Sequence, residues 1–177
     1  MQFASSSPST TTTELIMHQS RVNSILQEAK YATIGIIDKG KPWVYSVSFV
    51  RHAESPYSLV YYSHQTSRHT KAVQLDASCA LSIYIIDDQG NVDGLQAEGV
   101  ISIIDKPTID LYNHYYNTAF ADPIQREEWR IDFREFTKPG SQRFHIIELG
   151  KIWLMDMERW DVDKADTRFE VLTESRN

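Results

Sequence analysis

The residues of this chain best equipped for chemistry stand in one stretch, Tyr61-Tyr62-Ser63-His64-Gln65-Thr66-Ser67-Arg68-His69-Thr70-Lys71. The pattern closes a strand at Ser63, crosses a short polar turn and opens a helix near Ser67. A helix start leaves backbone N–H groups unpaired and carries a partial positive charge, so it attracts anions. Hydroxyls at Ser63, Thr66 and Ser67 can donate there, and Arg68 and Lys71 share one side of the first turn. Guanidinium, ammonium and hydroxyl groups converging on a helix start make a phosphate site. The same residues have a plainer reading, in which Ser67 caps the helix and both cations are solvated. The stretch by itself leaves both open.

Other chemistries lack their residues. The seven glycines are scattered and form neither GxGxxG nor GxxxxGK[ST], and HExxH, CxxC and GxSxG are absent. The six histidines, at 18, 52, 64, 69, 114 and 145, stand apart without a close pair at ligand spacing, so no metal site is expected. Cys79 is the single cysteine, which excludes an intrachain disulfide; within Cys79-Ala80-Leu81 it reads as a buried thiol. A net charge of −6 argues against a nucleic-acid surface. Residues 1–13 carry neither a basic nor an apolar signal region, and no apolar run approaches the ~20 residues that span a bilayer. A soluble, cytoplasmic protein with no membrane partner is the expectation.

The elements that must position the stretch follow from periodicity. Residues 1–13 are polar and low in complexity and read as a disordered tail. Thr11-x-x-Glu14 has the form of a capping box, and Leu15, Val22, Leu26 and Ala29 recur at helical spacing, which predicts a helix over 13–30. Ala32–Asp38 and Trp43–Val50 alternate as strands around a turn at Asp38-Lys39-Gly40-Lys41, a hairpin with glycine where positive φ is needed. Ser58–Ser63 is a third strand, and Thr66–Asp76 a short helix. Ala80–Ile86 is a strand apolar enough to be buried on both faces, and Leu95–Ile104 closes a second hairpin. Pro107 and Pro123 open two helical stretches ending before Lys138-Pro139-Gly140. The aromatics there, Tyr115, Tyr116 and Trp129 among them, read as packing in preference to a substrate platform. Arg143–Leu149 and Lys151–Met157 are two last strands with a bend at Gly150. The absence of βαβ alternation places the chain in the mainly β (α+β) class, an antiparallel barrel or sheet in one domain over 14–160, with a tail over 161–177.

The run Tyr62-Ser63, Ser67-Arg68-His69-Thr70-Lys71 and Leu81-Ser82-Ile83 resembles the phosphate-binding strand-helix-strand of the pyridoxamine 5′-phosphate oxidase-like, FMN-binding split-barrel superfamily. The Ser-Arg-His-Thr form is most similar to its stress-protein and haem-utilisation branches. The likeness extends from Ala32 to Asp156 through Gly94-Leu95-Gln96-Ala97-Glu98-Gly99 and Ile152-Trp153-Leu154-Met155-Asp156. It implies an antiparallel split β-barrel of six or seven strands with peripheral helices. It further implies FMN, with its phosphate on Ser67, Arg68, His69 and Lys71 and with Ser63 on the phosphate or ribityl chain. Ser46, Val47 and Ser48 would line the ring edge through backbone groups, and Gln96 would face the flavin. The superfamily's site lies between subunits, so a homodimer with a small-molecule substrate is implied. His69 stands where Lys is common, which weakens the cationic cluster. The Arg-rich C-terminal substrate motif is missing; Asp161-Val162-Asp163-Lys164-Ala165-Asp166 stands there instead, and disfavours vitamin B6 oxidation. Three readings follow: an FMN-dependent oxidoreductase, a haem-handling barrel, and a barrel without flavin that binds another ligand.

Overall fold

The computed structural model describes residues 12–171. Helix α1, Thr12–Glu28, is followed by strands β1 (Tyr31–Asp38), β2 (Lys41–Ser48), β3 (Val50–Arg51) and β4 (Ser58–His64). Helix α2 (Arg68–Val73) leads to β5 (Ser78–Ile86) and β6 (Val92–Ile104). Helices α3 (Ile109–Ala119) and α4 (Pro123–Trp129) and a 3-10 turn (Phe133–Phe136) precede β7 (Gln142–Met155), α5 (Met157–Asp163) and β8 (Arg168–Val171). The Thr11 cap and the tail up to residue 11 lie outside the described residues, and Thr12 and Thr13 already belong to α1.

All strands join one antiparallel sheet in the order β2-β1-β5-β6-β7-β4-β3, with β8 added on β7. The β1–β2 hairpin closes on Asp38 opposite Lys41, with Lys39 and Gly40 both at positive φ (53° and 76°), as a two-residue primed turn demands. Strand β2 runs through Ser48 and Phe49 straight into β3, so one segment of chain belongs to both ends of the sheet order. That continuity curls the sheet into a split barrel. Beyond the bend the gap is bridged by side chains, with the hydroxyls of Tyr45 on β2 and Tyr61 on β4 3.0 Å apart.

The interior collects the inward residues of each strand, Ala32, Ile34 and Ile36 of β1 and Leu81 and Ile83 of β5 among them. Helix α1 seals one end with Val22, Ile25 and Leu26, all essentially solvent-free. Arg21 pins it, with two nitrogens on the Asp93 carboxylate (as close as 2.6 Å) and one on the Met155 carbonyl at 2.9 Å. A second core forms where α3 and the 3-10 turn bring Tyr112, Tyr115, Tyr116 and Phe136 against Val60 and Phe144. That is the packing role expected of the helical segment's tyrosines; Trp129, by contrast, is 60% exposed.

Three expectations need correction. Strand β5 is not buried on both faces: Ala80, Ser82, Tyr84 and Ile86 look outward, alternating with a buried set. An apolar composition had masked an ordinary two-period pattern. The two closing strands are one, because β7 pairs with β6 on both sides of Gly150; the ladder shifts register there, from Leu149 opposite Gly99 to Ile152 opposite Ala97, so the irregularity lies within a single strand. The path of seven strands agrees with the six or seven expected, and the short strand β8 joins it on β7. The segment 161–177 is thus no free tail along its described part, since Arg168–Val171 pairs with Ile152–Met155.

Candidate functional site

Strand β4 delivers the chain to the site and α2 carries it away. The turn between them is braced by His64, whose Nδ1 accepts from the Thr66 backbone N–H at 3.2 Å, and by the Gln65 N–H on the Ser141 carbonyl at 2.8 Å. Ser67 is the N-cap: extended at φ −61°, ψ 153°, it accepts the Thr70 N–H on its hydroxyl at 3.3 Å. The cap aims the first turn so that Thr70, Ala72 and Val73 go inward while Arg68 and Lys71 remain outside.

Around this start the predicted phosphate residues converge, and Arg68 and His69 each have a partner that sequence reading missed. Arg68 Nε donates to Asp38 Oδ2 at 2.6 Å, and its guanidinium lies over the Trp43 ring at 3.9 Å. The Trp43 indole N–H is buried without a hydrogen-bond partner among the described residues. His69 lies flat on the Tyr45 ring (4.1 Å, 8°) and its Nε2 meets Ser63 Oγ at 2.7 Å. Behind them Tyr61 stacks on His145 at 4.6 Å, and His145 Nε2 meets Thr70 Oγ1 at 3.2 Å. Burial pushes the His69 imidazole below its usual range, so at neutral pH the ring is uncharged. Burial likewise lifts the Tyr45 hydroxyl to about 12, leaving it a neutral hydrogen-bonding group. The positive charge of the site therefore rests on Arg68 and Lys71.

The remaining predicted residues lie elsewhere. Val47 faces the interior and packs on the main core. Ser46, Ser48 and Gln96 project from the opposite, outer face of the sheet, where register aligns Ser46, Thr33, Ser82, Gln96 and Trp153 in one row. Gln96 borders an open cavity of about 450 Å³ lined also by Tyr84, Met155, Trp160 and Arg168. Within one chain, the anion cluster and this row do not form a single pocket.

The missed partners left faint signals. Trp43 and Tyr45 share the inward face of β2 by simple alternation with Val47. His145 sits in the apolar run Phe144-His145-Ile146-Ile147, where an imidazole with no solvent access needs partners. Asp38 read only as a turn residue, and its pairing with a helix thirty positions later had no local signature.

No protein-family model matches the chain, and no curated protein sequence does. Solved structures match it in fold. A putative pyridoxamine 5′-phosphate oxidase from Listeria innocua shares 13% identity at a TM-score of 0.57, covering 77% of this chain and 97% of that one. A FAD-binding protein (mll6688) from Mesorhizobium loti shares 9% at 0.58, covering 76% and 89%. The heme storage protein HutZ from Vibrio cholerae shares 13% at 0.56, covering 77% and 93%.

Proposed function

We propose that this chain, a split barrel of the pyridoxamine 5′-phosphate oxidase-like kind, binds FMN and acts as an oxidoreductase on a small molecule. The observation that carries the reading is the gathering of Arg68, Lys71, Ser63 and Ser67 at the capped start of α2. Asp38 engages only Nε of Arg68, so the two outer guanidinium nitrogens remain for a phosphate, with the exposed Lys71 one turn on. The unpartnered Trp43 N–H is a further donor in the same cluster. Bound flavin supplies the redox chemistry; the chain's part is to hold the phosphate, orient the ring and exclude water. The cavity beside Gln96 offers room for the small molecule.

The division of the predicted residues between two faces supports a homodimer, since a second copy can bring its outer row over the anion cluster. That outer face is suited to burial. Tyr31, Val44, Tyr84 and Val92 are each more than half exposed there, around the small Gly35, Ala80 and Ser82. Patches of this kind on an isolated chain mark interaction surfaces.

One observation favours a second reading. With Asp38 on Arg68 and His69 neutral, the site carries less net positive charge than its residue types suggest. A barrel of that charge suits a ligand other than a phosphate, with haem the alternative that a fold neighbour's name raises. The absorbance spectrum of protein purified without added cofactor separates the readings. Flavin bands, with FMN and not FAD released on denaturation, are expected. A Soret band, or a colourless protein that takes up no added FMN, overturns the flavin reading.

A further inference from the structure

The hydrogen bonds behind the anion cluster form one directed chain, and its direction has a chemical consequence. It begins at the Arg143 carbonyl, 3.1 Å from His145 Nδ1. A carbonyl only accepts, so Nδ1 carries a proton. His145 has no solvent access, and a buried ring without a counter-charge is neutral, so its Nε2 is bare. Thr70 Oγ1, 3.2 Å away, must then donate to it. With that proton spent, Thr70 Oγ1 accepts from Ser67 Oγ at 2.8 Å. Ser67 Oγ, its own proton spent, accepts from Ser63 Oγ at 3.3 Å. Ser63 Oγ in turn has no proton left for His69 Nε2, 2.7 Å away, which is therefore the donor.

We infer that His145, acting through Thr70, Ser67 and Ser63, is a positioning residue that holds His69 in the Nε2–H tautomer, so that His69 offers its bare Nδ1 to a ligand as a hydrogen-bond acceptor. No other hydrogen bond of His69 is formed among the described residues, so Nδ1 is unspent. An acceptor repels a phosphate oxygen and takes a hydroxyl or N–H group. The relay also spends the protons of Ser63 and Ser67 inward, leaving the phosphate to Arg68, Lys71 and backbone N–H groups. Burial of the His69 ring, which disfavours its cation, agrees with this assignment. Resting on the FMN reading, the group that His69 takes is a hydroxyl of the ribityl chain, common to FMN and riboflavin.

Nitrogen NMR of protein labelled in its histidines, at neutral pH and without flavin, tests the relay directly. Expected are His145 as the Nδ1–H tautomer and His69 as the Nε2–H tautomer. A His69 protonated on Nδ1, or on both nitrogens, overturns the inference. Thr70→Val cuts the chain in the core and Ser67→Ala cuts it nearer the surface, which covers the case in which one variant fails to fold. Either cut should release His69 into a mixture of tautomers, and an unchanged Nε2–H population overturns the link to His145. His69→Ala should weaken FMN and riboflavin by the same factor, roughly three- to tenfold for one hydrogen bond. Loss confined to FMN makes His69 a phosphate ligand and sinks the assignment. If wild-type protein binds neither flavin, the FMN reading fails while the imidazole spectra still decide the relay.

Discussion

Among single residues, Arg68 and Lys71 carry the binding energy and His145 the acid sensitivity. Charge-assisted hydrogen bonds to a phosphate contribute roughly 1.5–3 kcal/mol each, so Arg68→Ala or Lys71→Ala should weaken FMN about ten- to a hundredfold. Riboflavin, which lacks the phosphate, should hardly change. Arg68→Lys should also lose affinity, because an ammonium reproduces neither the fork nor the flat contact with Trp43. Flavin-fluorescence titration of each variant measures this, and equal loss for both ligands points to a damaged fold. His145 answers a different measurement. Burial, helped by the neighbouring His69, lowers its pKa from 6.5 to about 4, while its bond to the Arg143 carbonyl opposes that shift. Tyr61 stacks on it, its ring nitrogens meet Thr70 and the Arg143 carbonyl, and among the described residues no carboxylate is hydrogen-bonded to the ring to offset the burial. Between those two pH values the unfolded chain binds a proton that the native one refuses, so stability rises with pH. As pH falls from about 6.5 to 4, this group should cost the fold about 3 kcal/mol. Urea titrations at pH 7 and 4.5 should show His145→Gln less acid-sensitive than wild type; an identical pH slope removes His145 from the explanation.

Between elements, the decisive contact is the pair of tyrosines that spans the open part of the barrel. Tyr61 on β4 has no solvent access, and its hydroxyl meets that of Tyr45 on the far edge. Deleting one partner strands the other in a dry interior, which costs about 1–3 kcal/mol, whereas removing both is far gentler. Tyr45→Phe should therefore destabilise the protein by that amount, and Tyr45→Phe with Tyr61→Phe by less than the sum of the singles. Denaturant unfolding of the double-mutant cycle gives the coupling. Additive losses show that the bridge contributes nothing to closure. Elements also set the limit of what local pattern reveals. The β1–β2 hairpin was legible because alternation and turn chemistry agree within a dozen residues. The unity of β7 was not, since a glycine is compatible both with a break between two strands and with an irregularity inside one, and only the pairing with β6 on both sides of Gly150 decides.

For the whole molecule the property to measure is assembly. The outer face of β1, β2, β5 and β6 combines exposed apolar side chains with small residues at its centre, a surface a second barrel can approach closely. Light scattering should report twice the 20.4 kDa chain mass. Ser82→Arg, at the middle of the row that joins Thr33 to Gln96, should yield a folded monomer. If the site is shared between subunits, that monomer should also lose FMN. A monomer that holds FMN as tightly as wild type separates the site from the interface.

The sequence by itself determined the mainly antiparallel β architecture, the strand-turn-helix around Ser67 and the outward placement of Arg68 and Lys71. Each follows from period, turn chemistry and capping, which act over a few neighbouring residues. Only the tertiary structure decided what those groups face. Asp38 on Arg68, Tyr45 on His69, and His145 behind Thr70 are partners 30, 24 and 75 positions away, brought together by the curl of the sheet. Such meetings depend on barrel closure and strand register across the split, which no local pattern encodes. They decide which cation is shared, which imidazole is neutral and which way each hydroxyl proton points.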